Sequence, residues 1–167
     1  MTASSVYGVK RKQFIEEMII PNIPKKWNKV VYIEPFGGTF AVGNVLKKLI
    51  RISSTIYNDI VKYDDIVITA DTILNTDYFK VMDAFNMNDD CFFYIDPPYY
   101  GKEDWYGMKK FDKNFHIDLF NKVESLKCPF LISYEDCEFI RTLYKDYEII
   151  KYEGTNKIFR HEILITK

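Results

Sequence analysis

Residues 91–101 read CFFYIDPPYYG. Five apolar or aromatic residues run into a carboxylate, followed by two prolines and two tyrosines. A run that is apolar at every position suits a strand buried on both faces, as in a parallel sheet. Asp96 ends that strand, and Pro97 and Pro98 cannot continue it. Neither has an N–H, and Pro98 holds the residue before it in extended geometry. The backbone after Asp96 is therefore stiff, and its carbonyls have no partners along the chain. A carboxylate beside such carbonyls is a compact set of acceptors that suits an amino group, because the N–H bonds fix the amine and draw its lone pair out of conjugation. Tyr99 adds a flat face for a planar base. The plain alternative is a proline-terminated strand with a capping Asp; the buried strand before Asp96 and the tyrosine after it weigh against that reading.

Two further strands end in the same way. KVVYIEPFGG (29–38) is a β-branched run that meets Glu34 and then a turn with paired glycines. Those glycines permit a tight turn and close backbone approach by a ligand. The helix expected over TFAVGNVLKKLI (39–50), with Thr39 as its N-cap, presents an N-terminus suited to a carboxylate or phosphate. This turn lacks the full GxGxxG spacing and the Walker lysine, so alone it reads equally well as a structural corner. RISSTIYND (51–59) places Asp59 about 20 residues past the glycines, where an acid can accept hydrogen bonds from ribose hydroxyls. A helix N-cap is the competing role for Asn58 or Asp59. The two corners together suggest a nucleoside-containing ligand.

The rest of the chain alternates helix and strand. RKQFIEEMIIPNIP (11–24) has apolar residues at 14, 15, 18 and 19, a helical spacing stopped by Pro21 and Pro24. Residues 60–70 are expected as a helix followed by a connection, and TDYFKVMDAFNM (76–87) as another, capped by Thr76 or Asp77. FHIDLFNKVESLK (115–127) is amphipathic, CPFLISY (128–134) is a strand, and CEFIRTLYKD (137–146) is a helix. Residues 147–167 form two strands around Gly154, a terminal hairpin. This pattern predicts an α/β fold: a Rossmann-like, mostly parallel sheet with helices on both faces and a C-terminal antiparallel hairpin. Ligands then bind past the C-terminal ends of the strands, near the topological switch point. Glu34 to Gly38, Asp59, and Asp96 to Tyr99 all stand at such ends.

Composition narrows the classes. The 167 residues suit one domain, and at 47% apolar and 17% aromatic they can bury a sizeable core. No apolar run approaches the length of a membrane span, and MTASSVYGVKRK (1–12) has no apolar signal-peptide core. Three scattered cysteines (Cys91, Cys128, Cys137) favour reduced thiols of a cytosolic compartment. Without CxxC spacing or a nearby His pair, no metal site is expected. Net charge is −1, with local basic clusters at 10–12, 25–26 and 109–113. Most such clusters are solvated faces, but phosphates respond to a local patch rather than to the total.

These motifs, in this order, resemble the Dam-type adenine-specific DNA methyltransferases, along nearly the whole chain. YGVK (7–10) resembles the family's cofactor-closing N-terminal motif, EPFGGTF (34–40) its cofactor turn, NDI (58–60) its ribose acid and TDYF (76–79) its adenine-side element. IDPPYY (95–100) resembles its catalytic tetrapeptide, the most specific of the set. LISYED (131–136) and FRHEILITK (159–167) resemble its later strands. The resemblance implies a class I methyltransferase catalytic domain over 1–167 and methyl transfer from S-adenosylmethionine to the exocyclic N6 amine of a flipped DNA adenine. It implies catalytic roles for Asp96, Pro97, Pro98 and Tyr99, with the Asp96 carboxylate and Pro97 carbonyl holding the amine and Tyr99 stacking on the base. Tyr7, Lys10, Glu34, Phe36, Gly37, Gly38, Asp59, Asp77 and Asp96 would surround the cofactor, with Tyr7 and Lys10 at its methionine side. In the loop 100–115, Trp105 and Tyr106 would stack or wedge and Lys109, Lys110 and Lys113 would hold phosphates. It further implies a bacterial or phage-infected cytoplasm and a restriction–modification setting.

Two departures stand out. Phe40 occupies the position of the family turn's second glycine, where a bulky side chain near the methionine end would weaken cofactor binding. Thirty-six residues, 60 to 95, separate Asp59 from Asp96, too few for the family's usual target-recognition segment. The expectation is then a minimal enzyme of relaxed specificity, or one whose specificity comes from a protein partner. Amine methylation of cytosine, RNA or protein glutamine, and a non-catalytic cofactor-binding subunit, are the alternatives.

Overall fold

The computed structural model describes residues 10, 12–23, 30–49, 52–86, 90–102, 111–153 and 161–167. Seven strands form one sheet: β1 (Val30–Glu34), β2 (Ile52–Asn58), β3 (Thr72–Leu74), β4 (Cys91–Ile95), β5 (Phe130–Glu135), β6 (Glu148–Lys151) and β7 (Glu162–Thr166). Their spatial order is β3-β2-β1-β4-β5-β7-β6. The β1–β2, β1–β4, β2–β3 and β4–β5 pairs are parallel, and β7 lies antiparallel between β5 and β6. Strand order reverses between β1 and β4, so the corners after Glu34 and Ile95 open side by side at one edge of the sheet. That is the switch point where α/β sheets take ligands.

Strand periodicity explains the layers. Ile33, Phe93, Ile95, Phe130, Ile132, Ile163 and Ile165 pack on one face, under α3 (Tyr78–Phe85), α4 (Lys113–Glu124) and α5 (Glu138–Leu143). Their neighbours Tyr32, Phe92, Tyr94, Leu131 and Leu164 pack on the other, with Phe14, Ile15, Met18 and Ile19 of the first helical segment and Val42 and Leu46 of α2 (Ala41–Leu49). Adjacent residues of the central strands therefore feed opposite cores, which is why β4 is apolar and buried at every position. The first helical segment starts as α1 (Lys12–Phe14), widens into a π-type turn over Ile15–Ile19 and tightens to a 3₁₀ turn over Ile20–Asn22. Pro21 lies in that final turn, so the expected stop is observed there.

Three local expectations are corrected. Residues 60–70 form no helix; Ile60, Val61, Ile66, Val67, Ile68 and Thr69 are β-branched and favour extended chain. Lys47 holds that segment down through the Thr69 carbonyl at 2.8 Å and Asp71 at 3.2 Å. The short edge strand β3 takes the place of part of the expected connection. Thr39 does not cap α2, which follows Phe40, a residue with φ of 59°. Asp77 does cap α3, accepting from the Phe79 amide at 2.9 Å. Cys91, Cys128 and Cys137 are free thiols. Among the described residues, no helix is long and apolar enough to cross a membrane, and no group of three or more His, Cys, Asp or Glu is placed to hold a metal ion.

Candidate active site

The glycine corner is held from beneath. The Gly37 amide donates to the Asn58 carbonyl at 2.7 Å, and a Cβ on Gly37 would stand 2.3 Å from the Tyr57 ring. Gly38 has φ of +50°, a left-handed conformation that favours glycine, and no described atom lies within 4 Å of a Cβ built there. Its amide donates to Asp59 Oδ2 at 2.8 Å, and Asp59 Oδ1 accepts from the Val61 amide at 2.9 Å. Burial pushes the Asp59 carboxyl up, partly offset by these amides. The ribose-binding candidate thus stands beside the open space over Gly38.

Glu34 shapes this corner from inside the protein. It is 2% exposed, and its Oε1 accepts from the Tyr32 hydroxyl at 2.6 Å and the Gly43 amide at 2.7 Å. Burial pushes its carboxyl up to about 8. One of the first free amides of α2 is therefore already taken by a side chain. Phe36 is half-buried, its ring 4.9 Å from that of Tyr78 and 6.2 Å from that of Phe115. Asn58, which the sequence offered only as a helix N-cap, clips three segments together. Its Nδ2 donates to Pro35 O at 2.9 Å and Thr76 O at 3.0 Å, while its Oδ1 accepts from the Thr76 amide at 3.0 Å.

Phe40 does not crowd the corner. Its ring is fully buried, 6.4 Å from Tyr32 and 5.9 Å from Tyr57. A Cβ on Gly43 would lie 2.3 Å from the Phe40 ring. The bulk expected at the methionine end is folded under α2, into a space that Gly43 leaves open.

At the neighbouring corner, β4 and β5 run in register, so Ser133 stands opposite Asp96. Asp96 Oδ1 accepts from Ser133 Oγ at 2.8 Å and lies 3.2 Å from Lys10 Nζ and 3.4 Å from the Tyr99 hydroxyl. Each of these contacts falls on Oδ1, and the Asp96 side chain remains 19% exposed. Tyr94 steadies Ser133 through a hydroxyl contact of 2.8 Å. Pro97 is buried and Pro98 half-buried.

Lys10 and Tyr99 meet at the same corner. Lys10, expected at the cofactor's methionine side, stands at the acid of the tetrapeptide. Its Nζ also meets Glu162 Oε2 at 3.1 Å, donates to the Tyr99 hydroxyl, and lies 4.8 Å from the Tyr99 ring centre. Burial alone would lower the Lys10 ammonium, but the Asp96 and Glu162 carboxylates outweigh it and hold it up. Tyr99 is buried rather than an open stacking face; its hydroxyl donates to Glu162 Oε2 at 2.6 Å and its ring packs 6.1 Å from Tyr134. Glu162, at the start of β7, was missed. Its signal was an acid opening the apolar run EILIT, although nothing local says which corner that acid faces.

The remaining candidates are dispersed. Asp77 is exposed as the α3 cap. Lys113 opens α4, its Nζ 5.3 Å from the Phe139 ring centre. Tyr7, Trp105, Tyr106, Lys109 and Lys110 lie outside the described residues.

Solved structures share this architecture. A proposed methyltransferase complexed with SAH, SMU.776, matches with 14% identity and a TM-score of 0.48, covering 83% of this chain and 44% of that one. This chain therefore spans less than half the length of that protein. A precorrin-8W decarboxylase of Methanobacterium thermoautotrophicum matches with 10% identity and a TM-score of 0.58, covering 99% of this chain and 94% of that one. A SAM-dependent methyltransferase of Leishmania major matches with 10% identity and a TM-score of 0.54, covering 92% and 70%. At such identities these likenesses establish the fold alone: a Rossmann-like methyltransferase fold. No curated protein matches the sequence. A family model matches residues 61–158, more than half of the chain and the part that carries the IDPPYY corner, and by that match the chain belongs to the D12 class N6 adenine-specific DNA methyltransferases.

Proposed function

We propose that this chain transfers a methyl group from S-adenosylmethionine to the exocyclic N6 amine of adenine in DNA. The observation that carries the reading is the arrangement at Asp96. Among the described residues its contacts, with Ser133 and Lys10, fall on Oδ1, so Oδ2, on a carboxylate still partly exposed, is the oxygen offered to an incoming amine. Pro97 has no N–H, and its carbonyl stands next along the same rigid corner. Two acceptors so placed bind the two N–H groups of an exocyclic amine and turn its lone pair away from the ring. The residues present also fit the cofactor. Asp59 is a carboxylate acceptor for ribose hydroxyls beside the open space over Gly38, at the same sheet edge as Asp96.

When bound, S-adenosylmethionine supplies an electrophilic methyl on a cationic sulfur. The protein's part is positioning and electrostatics. Ser133 and Lys10 hold the Asp96 carboxylate in one orientation, and Asp96 orients the amine. A paired base cannot reach this corner, so the target is extruded, at a cost of a few kcal/mol. Stacking of that base on Tyr99 requires the Lys10–Tyr99–Glu162 contacts to open. Residues 1–167 act in this reading as one catalytic domain in the cytoplasm, and a protein partner supplies sequence specificity, because β3 and α3 occupy the described stretch between Asp59 and β4.

The test is methyl transfer from labelled cofactor to DNA, RNA and protein in parallel, with adenines mapped in the DNA. The wild type labels DNA adenine. Asp96→Ala keeps its circular-dichroism spectrum and loses transfer by roughly 100-fold or more. Labelling only of RNA or protein, or full turnover by the variant, overturns the reading.

A further inference from the structure

We infer that Glu162 supplies the net negative charge that makes this site select the cationic methyl donor over its neutral product. The inference rests on the proposed methyl transfer. Lys10 Nζ stands 3.2 Å from Asp96 and 3.1 Å from Glu162. One buried ammonium thus faces two carboxylates, and it cancels only one of them. Tyr99 adds a hydroxyl donor, at 2.6 Å from Glu162, and no charge. Asp96, Lys10 and Glu162 together carry −1.

That charge matches the chemistry. The S–CH₃ bond breaks with its electron pair staying on sulfur, and the amine lone pair forms the N–CH₃ bond. One positive charge therefore passes from sulfur to nitrogen, and the nitrogen then releases a proton to water. Donor and transition state carry a unit positive charge that S-adenosylhomocysteine lacks. Without Glu162 the tetrapeptide corner would hold only the balanced Asp96–Lys10 pair, neutral toward both ligands, and Asp59 on the ribose side would be left as an uncompensated carboxylate among the described residues. Glu162 tips the corner toward the cation, in surroundings where water screens little. Glu162 is a positioning residue as well, since it holds Lys10 against Oδ1 and keeps it off the acceptor needed by the amine.

The experiment compares dissociation constants for S-adenosylmethionine and S-adenosylhomocysteine by calorimetry. In Glu162→Gln, which keeps an acceptor and removes the charge, S-adenosylmethionine binding weakens about tenfold while S-adenosylhomocysteine changes less than about twofold. Glu162→Asp restores the preference. Lys10→Gln removes the cancelling cation, so its preference for S-adenosylmethionine is kept or rises, a result that stands even if Glu162→Gln fails to fold. Equal weakening of both ligands in Glu162→Gln, or a lost preference in Lys10→Gln, overturns the inference. A wild type that binds neither ligand instead overturns the proposed function.

Discussion

Glu34 shows how a buried side chain can shape a corner from inside the protein. Its carboxyl is buried, bonded to Tyr32 and Gly43, and pushed up to about 8 from an ordinary 4.5. The folded protein therefore keeps a proton on Glu34 at pH values where the unfolded chain has lost it. Stability from this group is fully present below about pH 4.5 and is lost as pH rises through about 8. The expected loss is on the order of a few kcal/mol. Urea titrations at pH 5 and pH 8.5 should show wild type losing stability relative to Glu34→Gln, whose amide oxygen still accepts both bonds. Parallel behaviour of the two proteins would show that Glu34 is ionised in its pocket.

At the scale of the element, α2 and the glycine corner form one packed unit. Phe40 adopts φ of 59° so that its ring can enter the space above Gly43. Left-handed geometry is costly for a bulky residue, and burial of an aromatic ring against Tyr32 and Tyr57 more than offsets it. Gly43→Ala would put a methyl group 2.3 Å from that ring, inside contact distance. The expected cost is about 1–3 kcal/mol in urea unfolding, and Phe40→Leu in the same background should recover part of it. Purely additive effects of the two substitutions would separate Phe40 from Gly43. The segment 60–70 carries the opposite lesson. Its polar and apolar residues can be laid on a helix, yet its β-branched content and the Lys47 tether favour an extended path.

At the scale of the molecule, the site exists because strand order brings three corners to one edge of the sheet. Asn58 joins two of them to the start of α3 through its bonds to Pro35 and Thr76. Asn58→Ala leaves the partners of three hydrogen bonds, one buried and two half-buried, without their mate. A loss of about 2–4 kcal/mol is expected in chemical denaturation, together with lost hydrogen-exchange protection of the Thr76 amide. Retained protection would show that the corner holds without this clip.

The strands other than β3, their covering helices and the acids at their ends were legible in the sequence, because periodicity, proline and glycine act within a few residues. The same local signals marked Glu34, Gly38, Asp59 and Asp96 as candidates. Only the tertiary structure decided which charges meet. Lys10 and Glu162 are 152 residues apart, and they share a site because β7 is inserted between β5 and β6 with Glu162 at its opening end. It also decided that Phe40 fills a core rather than a ligand site, since a side chain's direction at positive φ depends on the space around it. Pairing of buried charges follows strand order and the need to neutralise charge away from water, and neither is written in any short stretch of chain.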